Sequence, residues 1–209
     1  MTKAKDAALT RLQFKSANHQ YVLDGMVIPS VTQVLDLLSP FDHVPPQMLE
    51  ESRLRGTLVH KLTEVADRGE PWQDDADETA LSGYIEAWEA FKRENSVVIL
   101  ASEQRVYHTK YRYAGTFDRV VTLGTSLVPV VLDIKSGDLH NEYALQTAAY
   151  AYAFNEGRTK AEHILDRVAV ALQPNGKWKM DYYPHKNMLS DFQVFLAALT
   201  ITTWRMQNG

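Results

Sequence analysis

Two carboxylates and a lysine stand close together in this chain in a way that suits metal chemistry. The run Val130-Val131-Leu132-Asp133-Ile134-Lys135 starts as three apolar, mostly β-branched residues and ends in an acid and an amine. Such a run predicts a buried strand. Strand side chains alternate faces, so Asp133 and Lys135 point the same way and Ile134 points back into the core. Asp118 closes the stretch Tyr111 to Val121, which also reads as a strand. The segment from Thr122 to Pro129 carries Gly124 and can turn the chain back. An antiparallel pair would then bring Asp118 to Asp133. Converging carboxylates beside a lysine suit a hard divalent cation such as magnesium, whose bound water can attack a phosphodiester. Taken alone, Asp-x-Lys at a strand end is more often an exposed ion pair of little energetic weight.

Composition limits the other chemistries. The chain has 209 residues and no cysteine. That excludes a disulfide scaffold, a thiolate zinc site, an iron–sulfur cluster and a cysteine nucleophile. One domain is expected at this length. No segment has the pattern of a signal peptide, and no apolar run approaches the roughly 20 residues that span a bilayer. The net charge of −4 counts mildly against a nucleic-acid binder, although a local basic groove can coexist with an acidic total.

The elements that must hold these residues follow in order. Met1 to Thr10 is polar. Leu12 to Phe14 and Tyr21 to Val27 predict an N-terminal hairpin over 1–28, with Asp24-Gly25 as turn. Ser30 is a helix cap before Val31, Val34, Leu35 and Leu38. Pro40, Pro45 and Pro46 punctuate the next loop, with Pro46 in the first turn of a helix. Gln47 to Arg68 is a long helix carrying Gly56 and, one turn on, His60. Gly69 to Asp75 is a loop. Ala76 to Asn95 is an amphipathic helix whose Leu81, Tyr84, Ile85, Trp88 and Phe91 face a core. Val97 to Tyr107, with Glu103, is a strand. Leu139 to Phe154 is a helix with Gln146 and Tyr150 on one face, ended by Gly157. Val168 to Leu172, a Pro174-Asn175-Gly176 turn and Trp178 to Tyr183 form a further hairpin, and Asn187 to Met206 a closing helix. The result is an α/β layer fold with an antiparallel meander.

Four short motifs now fall into order: Gly56-x-x-x-His60, Gly115-x-x-Asp118, Asp133-x-Lys135 and Gln146-x-x-x-Tyr150. Together they resemble the PD-(D/E)XK nuclease superfamily in its RecB-type exonuclease branch. Tyr21-Val22-Leu23-Asp24-Gly25 with Pro29-Ser30-Val31-Thr32 is also similar to small phage-encoded members and to the mitochondrial genome maintenance exonuclease. Phe117 stands where a proline is usual before the first acid.

The resemblance implies a restriction-endonuclease-like fold, a central mixed sheet with an antiparallel meander flanked by helices. It implies one nuclease domain over 1–209, with the motifs in 47–154 and the hairpin and closing helix in 165–206. It implies a Mg²⁺- or Mn²⁺-dependent DNA exonuclease, without an iron–sulfur cluster, serving phage or prophage recombination and repair in a bacterial cytoplasm. A single-strand annealing protein or recombinase is the partner class it suggests, with no membrane association. Asp118, Asp133 and the Ile134 backbone carbonyl would ligate the metal, with His60 approaching from its helix and Glu103 reaching it directly or through water. Lys135 would orient or deprotonate the attacking water or stabilise the transition state; neighbouring carboxylates favour its charged form and hence the last role. Gln146 and Tyr150 would position Lys135, the water or a phosphate. Arg53, Arg55 and Ser30 are candidates for phosphate contact, from proximity in the sequence to Gly56 and His60 and from the bidentate grip of arginine on phosphate. A structure-specific endonuclease on the same fold, and an inactive nucleic-acid-binding subunit, are the alternatives.

Overall fold

The structure, a computed structural model, describes residues 12–38, 44–71 and 78–209. The expected polar segment at 1–10, Pro40, and residues 72–75 of the expected loop lie wholly or mostly outside these. The chain opens with a three-stranded antiparallel meander, β1 (Leu12–Lys15), β2 (Gln20–Leu23) and β3 (Met26–Ile28). Asp24 and Gly25 both have positive φ, +53° and +79°, the geometry of a two-residue turn that follows strand twist. Only one hairpin was expected. The extra strand arises because a single 3-10 turn at Ser16–Asn18, closed by left-handed His19, reverses the chain without a glycine or proline.

Helix α1 (Val31–Leu35) begins at Ser30, whose Oγ accepts from Gln33 N while the Gln33 side chain accepts from Ser30 N. This capping box satisfies two backbone donors that the helix leaves open. Helix α2 (Pro46–Asp67) starts with a proline in its first turn, and α3 (Glu78–Glu94) packs beside it. The main sheet follows the order β4 (Val98–His108), β5 (Tyr113–Thr122), β6 (Val130–Lys135), β7 (Asp166–Leu172) and β8 (Trp178–Tyr183). All neighbours are antiparallel except β6 and β7. Helix α4 (Glu142–Asn155) makes the crossover that a parallel pair requires. Helix α5 (Met188–Asn208) closes the chain.

The sheet separates two apolar layers. Val120, Val131, Phe117 and Phe195 pack with α1, α4 and α5 on one face. Val59, Trp88, Phe91 and Leu132 pack with α2 and α3 on the other. Central β7 is covered on both faces, and Val168 to Leu172 are fully buried, which explains its unbroken apolar sequence. The small meander joins the main sheet where Ala114 N donates to Pro29 O at 3.1 Å. No helix among the described residues is long and apolar enough to cross a membrane.

Candidate active site

The site forms where β5 and β6 part. Their last paired residues are Arg119 and Leu132, so Asp118 and Asp133 stand opposite one another in the opening. Asp118 Oδ2 accepts the Ile134 backbone N–H at 2.6 Å and thereby replaces the missing ladder bond. The N–H and C=O of one strand residue leave by the same edge, so the Ile134 carbonyl faces this opening too. On the other side of β5, Glu103 has φ +48° and falls between the pairs Ser102–Arg119 and Gln104–Phe117. A left-handed non-glycine residue costs on the order of 1–3 kcal/mol and persists only where its surroundings impose it. Phe117 and Val120 both face the α4/α5 layer, so the pleat breaks between them, at Asp118.

His60 comes down from α2 and places Nδ1 3.0 Å from Asp118 Oδ1. One ligand atom each from His60, Glu103 and Asp118 lies within 4.8 Å of the others. Asp133 does not join that set. Its Oδ2 lies 2.6 Å from Lys135 Nζ, and its Oδ1 accepts from Gln146 Nε2 at 3.4 Å. Gln146 Oε1 in turn accepts from Lys135 Nζ at 3.0 Å, and Gln146 Nε2 also reaches Tyr150 Oη at 3.0 Å. Four of the expected residues thus form one chain, Asp133–Lys135–Gln146–Tyr150, beside a tighter cluster of three. Lys135, two residues on along the same strand face, is the nearest positive charge to Asp133.

A sequence model of the PD-(D/E)XK nuclease superfamily matches residues 28–200, most of the chain. The chain belongs to the PD-(D/E)XK nuclease superfamily. A crystal structure of LHK-Exo in complex with dAMP is 11% identical, with 87% of this chain and 90% of that chain covered and a TM-score of 0.44. A crystal structure of the alkaline exonuclease LHK-Exo from Laribacter hongkongensis is 12% identical, covers 98% of this chain and 96% of that one, and has a TM-score of 0.40. No curated protein matches the chain in sequence.

PD-(D/E)XK nucleases use divalent metals, and the donors here fit one. Two carboxylates and an imidazole can hold a hard or borderline cation such as magnesium or manganese. Asp133 Oδ2, though close to Lys135, is buried and makes no hydrogen bond of acceptable geometry, so it too has lone-pair capacity to spare. The protonation of the site follows from its charges. Burial disfavours the His60 imidazolium, but the charge and hydrogen bond of Asp118 outweigh this and raise its pKa. Burial likewise works against ionised Asp118; the His60 charge, with Lys135 and the Ile134 N–H behind it, wins and lowers its pKa. For Asp133, burial comes first and raises the pKa, partly offset by Lys135. Burial opposes the Lys135 ammonium, yet Asp133 and Asp118 hold its pKa above the ordinary lysine value. Glu103 is raised by burial and by the Asp118 charge, against the pull of Arg119.

Arg119 braces the candidate site from the α2 side of the sheet, the side from which His60 also comes. It is fully buried, and its guanidinium donates to Asp67 at 2.7 Å, Glu103 at 3.2 Å and the Asp118 backbone carbonyl at 2.8 Å. Asp67 also accepts from Trp88 Nε1 and Lys92 Nζ. One arginine therefore ties α2, β4 and β5 together around the three candidate ligands. Sequence reasoning passed over Arg119 and Asp67. The signal was a charge inside an otherwise apolar strand, Arg119-Val120-Val121, which requires a buried partner. Tyr143, whose ring lies under Lys135 Nζ at 4.6 Å, was also passed over.

The phosphate-contact candidates differ in placement. Arg53 is 81% exposed and pairs only loosely with Glu50 at 3.8 Å. It lies seven residues before His60, two turns away on the same helix face. Arg55 is half-buried and reaches Ser52 at 3.3 Å. Ser30 is 2% exposed, with its hydroxyl engaged by Gln33 N and Thr32 Oγ1, so its side chain serves the α1 cap. Gly56 faces Ser136, and a Cβ there would make an ordinary 3.6 Å contact.

Proposed function

We propose that this nuclease is a Mg²⁺- or Mn²⁺-dependent DNA exonuclease. The observation that carries the reading is the convergence of His60, Glu103 and Asp118 beside the Asp133–Lys135 pair. His60, Glu103 and Asp118 would hold the cation, with Asp133 and the Ile134 carbonyl at its open side. A cation there lowers the pKa of a bound water and neutralises charge on the phosphoryl oxygens. Lys135, kept as an ammonium by two carboxylates, presents a fixed donor to the phosphate as negative charge builds. Gln146 holds Nζ in place, and Tyr150 holds Gln146. A raised lysine pKa favours this electrostatic role over that of a general base. Exposed Arg53 adds positive charge at the approach to the site.

Resemblance to the RecB-type branch and to small phage-encoded members supports exonuclease action in recombination or repair, with an annealing protein or recombinase as partner. The test is release of acid-soluble nucleotides from linear DNA with Mg²⁺ or Mn²⁺. Closed circular DNA should resist; its cutting would favour an endonuclease. Asp118→Ala and Lys135→Ala should each abolish release while the chain stays folded. If both leave it intact, the site assignment is wrong.

A further inference from the structure

We infer that the cavity between the N-terminal meander and β4–β5 holds the unstacked terminal nucleoside of the strand being cut. This rests on the nuclease reading and adds how the substrate is gripped. The cavity has a volume of about 280 Å³ and opens onto Glu103 and Tyr150 of the catalytic cluster. That is just below the range of about 300–1,000 Å³ usual for drug-sized ligands, so it admits one nucleotide-sized group and not a duplex.

Its walls suit a base. Phe14 meets His19 edge-on at 5.0 Å and Tyr21 at 4.9 Å between ring centroids. Tyr21 is buried and fixed by its hydroxyl on Thr116 Oγ1 at 2.9 Å. His19 is exposed and Phe14 half-buried, and both line the cavity. The Arg105 guanidinium lies over Phe14 at 5.1 Å and is exposed, which puts a positive charge at the rim. Aromatic faces accept any base, whereas a guanidinium accepts the phosphate attached to it. A meander used only to cover the sheet edge would have no need to leave these rings open beside candidate metal ligands.

The experiment is calorimetric titration of the full chain, with Mg²⁺ present, by thymidine 5′- and 3′-monophosphates and by deoxyribose phosphate lacking the base. None contains a diester, so none is cut. One of the mononucleotides should bind about 5- to 150-fold more tightly than the base-free compound, the range set by stacking one base. His19→Asn and Phe14→Leu should each remove much of that advantage and leave the base-free compound unchanged, while Arg105→Gln weakens both ligands alike. His19 is exposed and its backbone is left-handed, a conformation that asparagine adopts readily, so this variant removes the ring and keeps the turn. A short phosphorothioate strand with a normal end should displace the mononucleotide at lower concentration than one with an abasic end. Equal binding of nucleotide and base-free phosphate overturns the inference, as does unchanged nucleotide affinity in both ring variants. So does equal displacement by both strands, which would mean that only free nucleotides are held. The readout is binding, so a chain that passes this test yet releases nothing from DNA would refute the exonuclease reading and leave the pocket standing.

Discussion

Gly115 and Tyr150 belong to motifs 35 residues apart in the chain, yet the structure makes one depend on the other. A Cβ built at Gly115 would lie 2.5 Å from Tyr150 Cε1, 3.2 Å from Cδ1 and 3.2 Å from Val31 Cγ2. Ordinary contact begins near 3.4 Å, so the ring would have to withdraw by about 0.9 Å. Tyr150 is 3% exposed and enclosed by Phe117 and its own helix, which leaves it little room. Gly115→Ala should therefore cost about 1–3 kcal/mol through overpacking. At 2–4 °C per kcal/mol for a chain of this size, the melting temperature should fall by about 2–12 °C. The same displacement pulls the Tyr150 hydroxyl from Gln146 and lets Lys135 drift. A misplacement of about 1 Å costs on the order of 100-fold in rate. The assay pairs thermal unfolding with kcat/KM for nucleotide release from linear DNA. Gly115→Ala combined with Tyr150→Leu should regain stability but not rate, because the space returns and the hydroxyl does not. A Gly115→Ala protein with unchanged melting temperature and rate would refute this coupling.

Other outcomes follow from the same geometry. Arg119→Met leaves Glu103 without its guanidinium and Asp67 with Lys92 as its remaining counter-charge, and should cost about 1–3 kcal/mol, read from the urea midpoint. A cation that binds only the folded chain should, at about one hundred times its Kd, stabilise it by about 2.7 kcal/mol; manganese should raise the melting temperature accordingly, and Asp118→Asn should lose most of the rise. Burial lowers the His108 pKa despite Glu156 nearby, with Lys110 acting in the same direction as burial. The unfolded chain then binds the extra proton between the folded value and about 6.5, so this contribution is complete above about pH 6.5 and lost as pH falls through the folded value. His108→Gln should flatten that acid limb in melts taken across about pH 5–7.5.

The side-chain placements legible in the chain were those fixed by local period. Alternation in a strand puts Asp133 and Lys135 on one side and Ile134 in the core, and the structure shows all three so placed. Helical spacing puts Gln146 beside Tyr150. What could not be read depended on partners distant in sequence. The parallel pairing of β6 with β7 is marked by the intervening helix, but the apolar run of 168–172 by itself also fits a buried antiparallel strand. Asp133 was expected among the metal ligands because acids on paired strands converge; the ammonium beside it is a competitor that motif spacing does not weigh. Glu103 entered as a loose candidate. It reaches the cluster because the backbone at that residue turns left-handed and Arg119 holds its carboxylate, neither of which a residue type announces.

The shared direction of β6 and β7 has a practical corollary. Asp133 and Lys135 close β6 at its C-terminal end, so the segments feeding the starts of β6 and β7 lie at the opposite pole of the sheet. The bend at 123–129 is one of these, and Leu127 within it is 89% exposed. A fluorophore, epitope or purification peptide spliced between Gly124 and Val128 would sit far from the chemistry and disturb no strand ladder. The molecule thus offers a handle for surface immobilisation that leaves the candidate site facing solution.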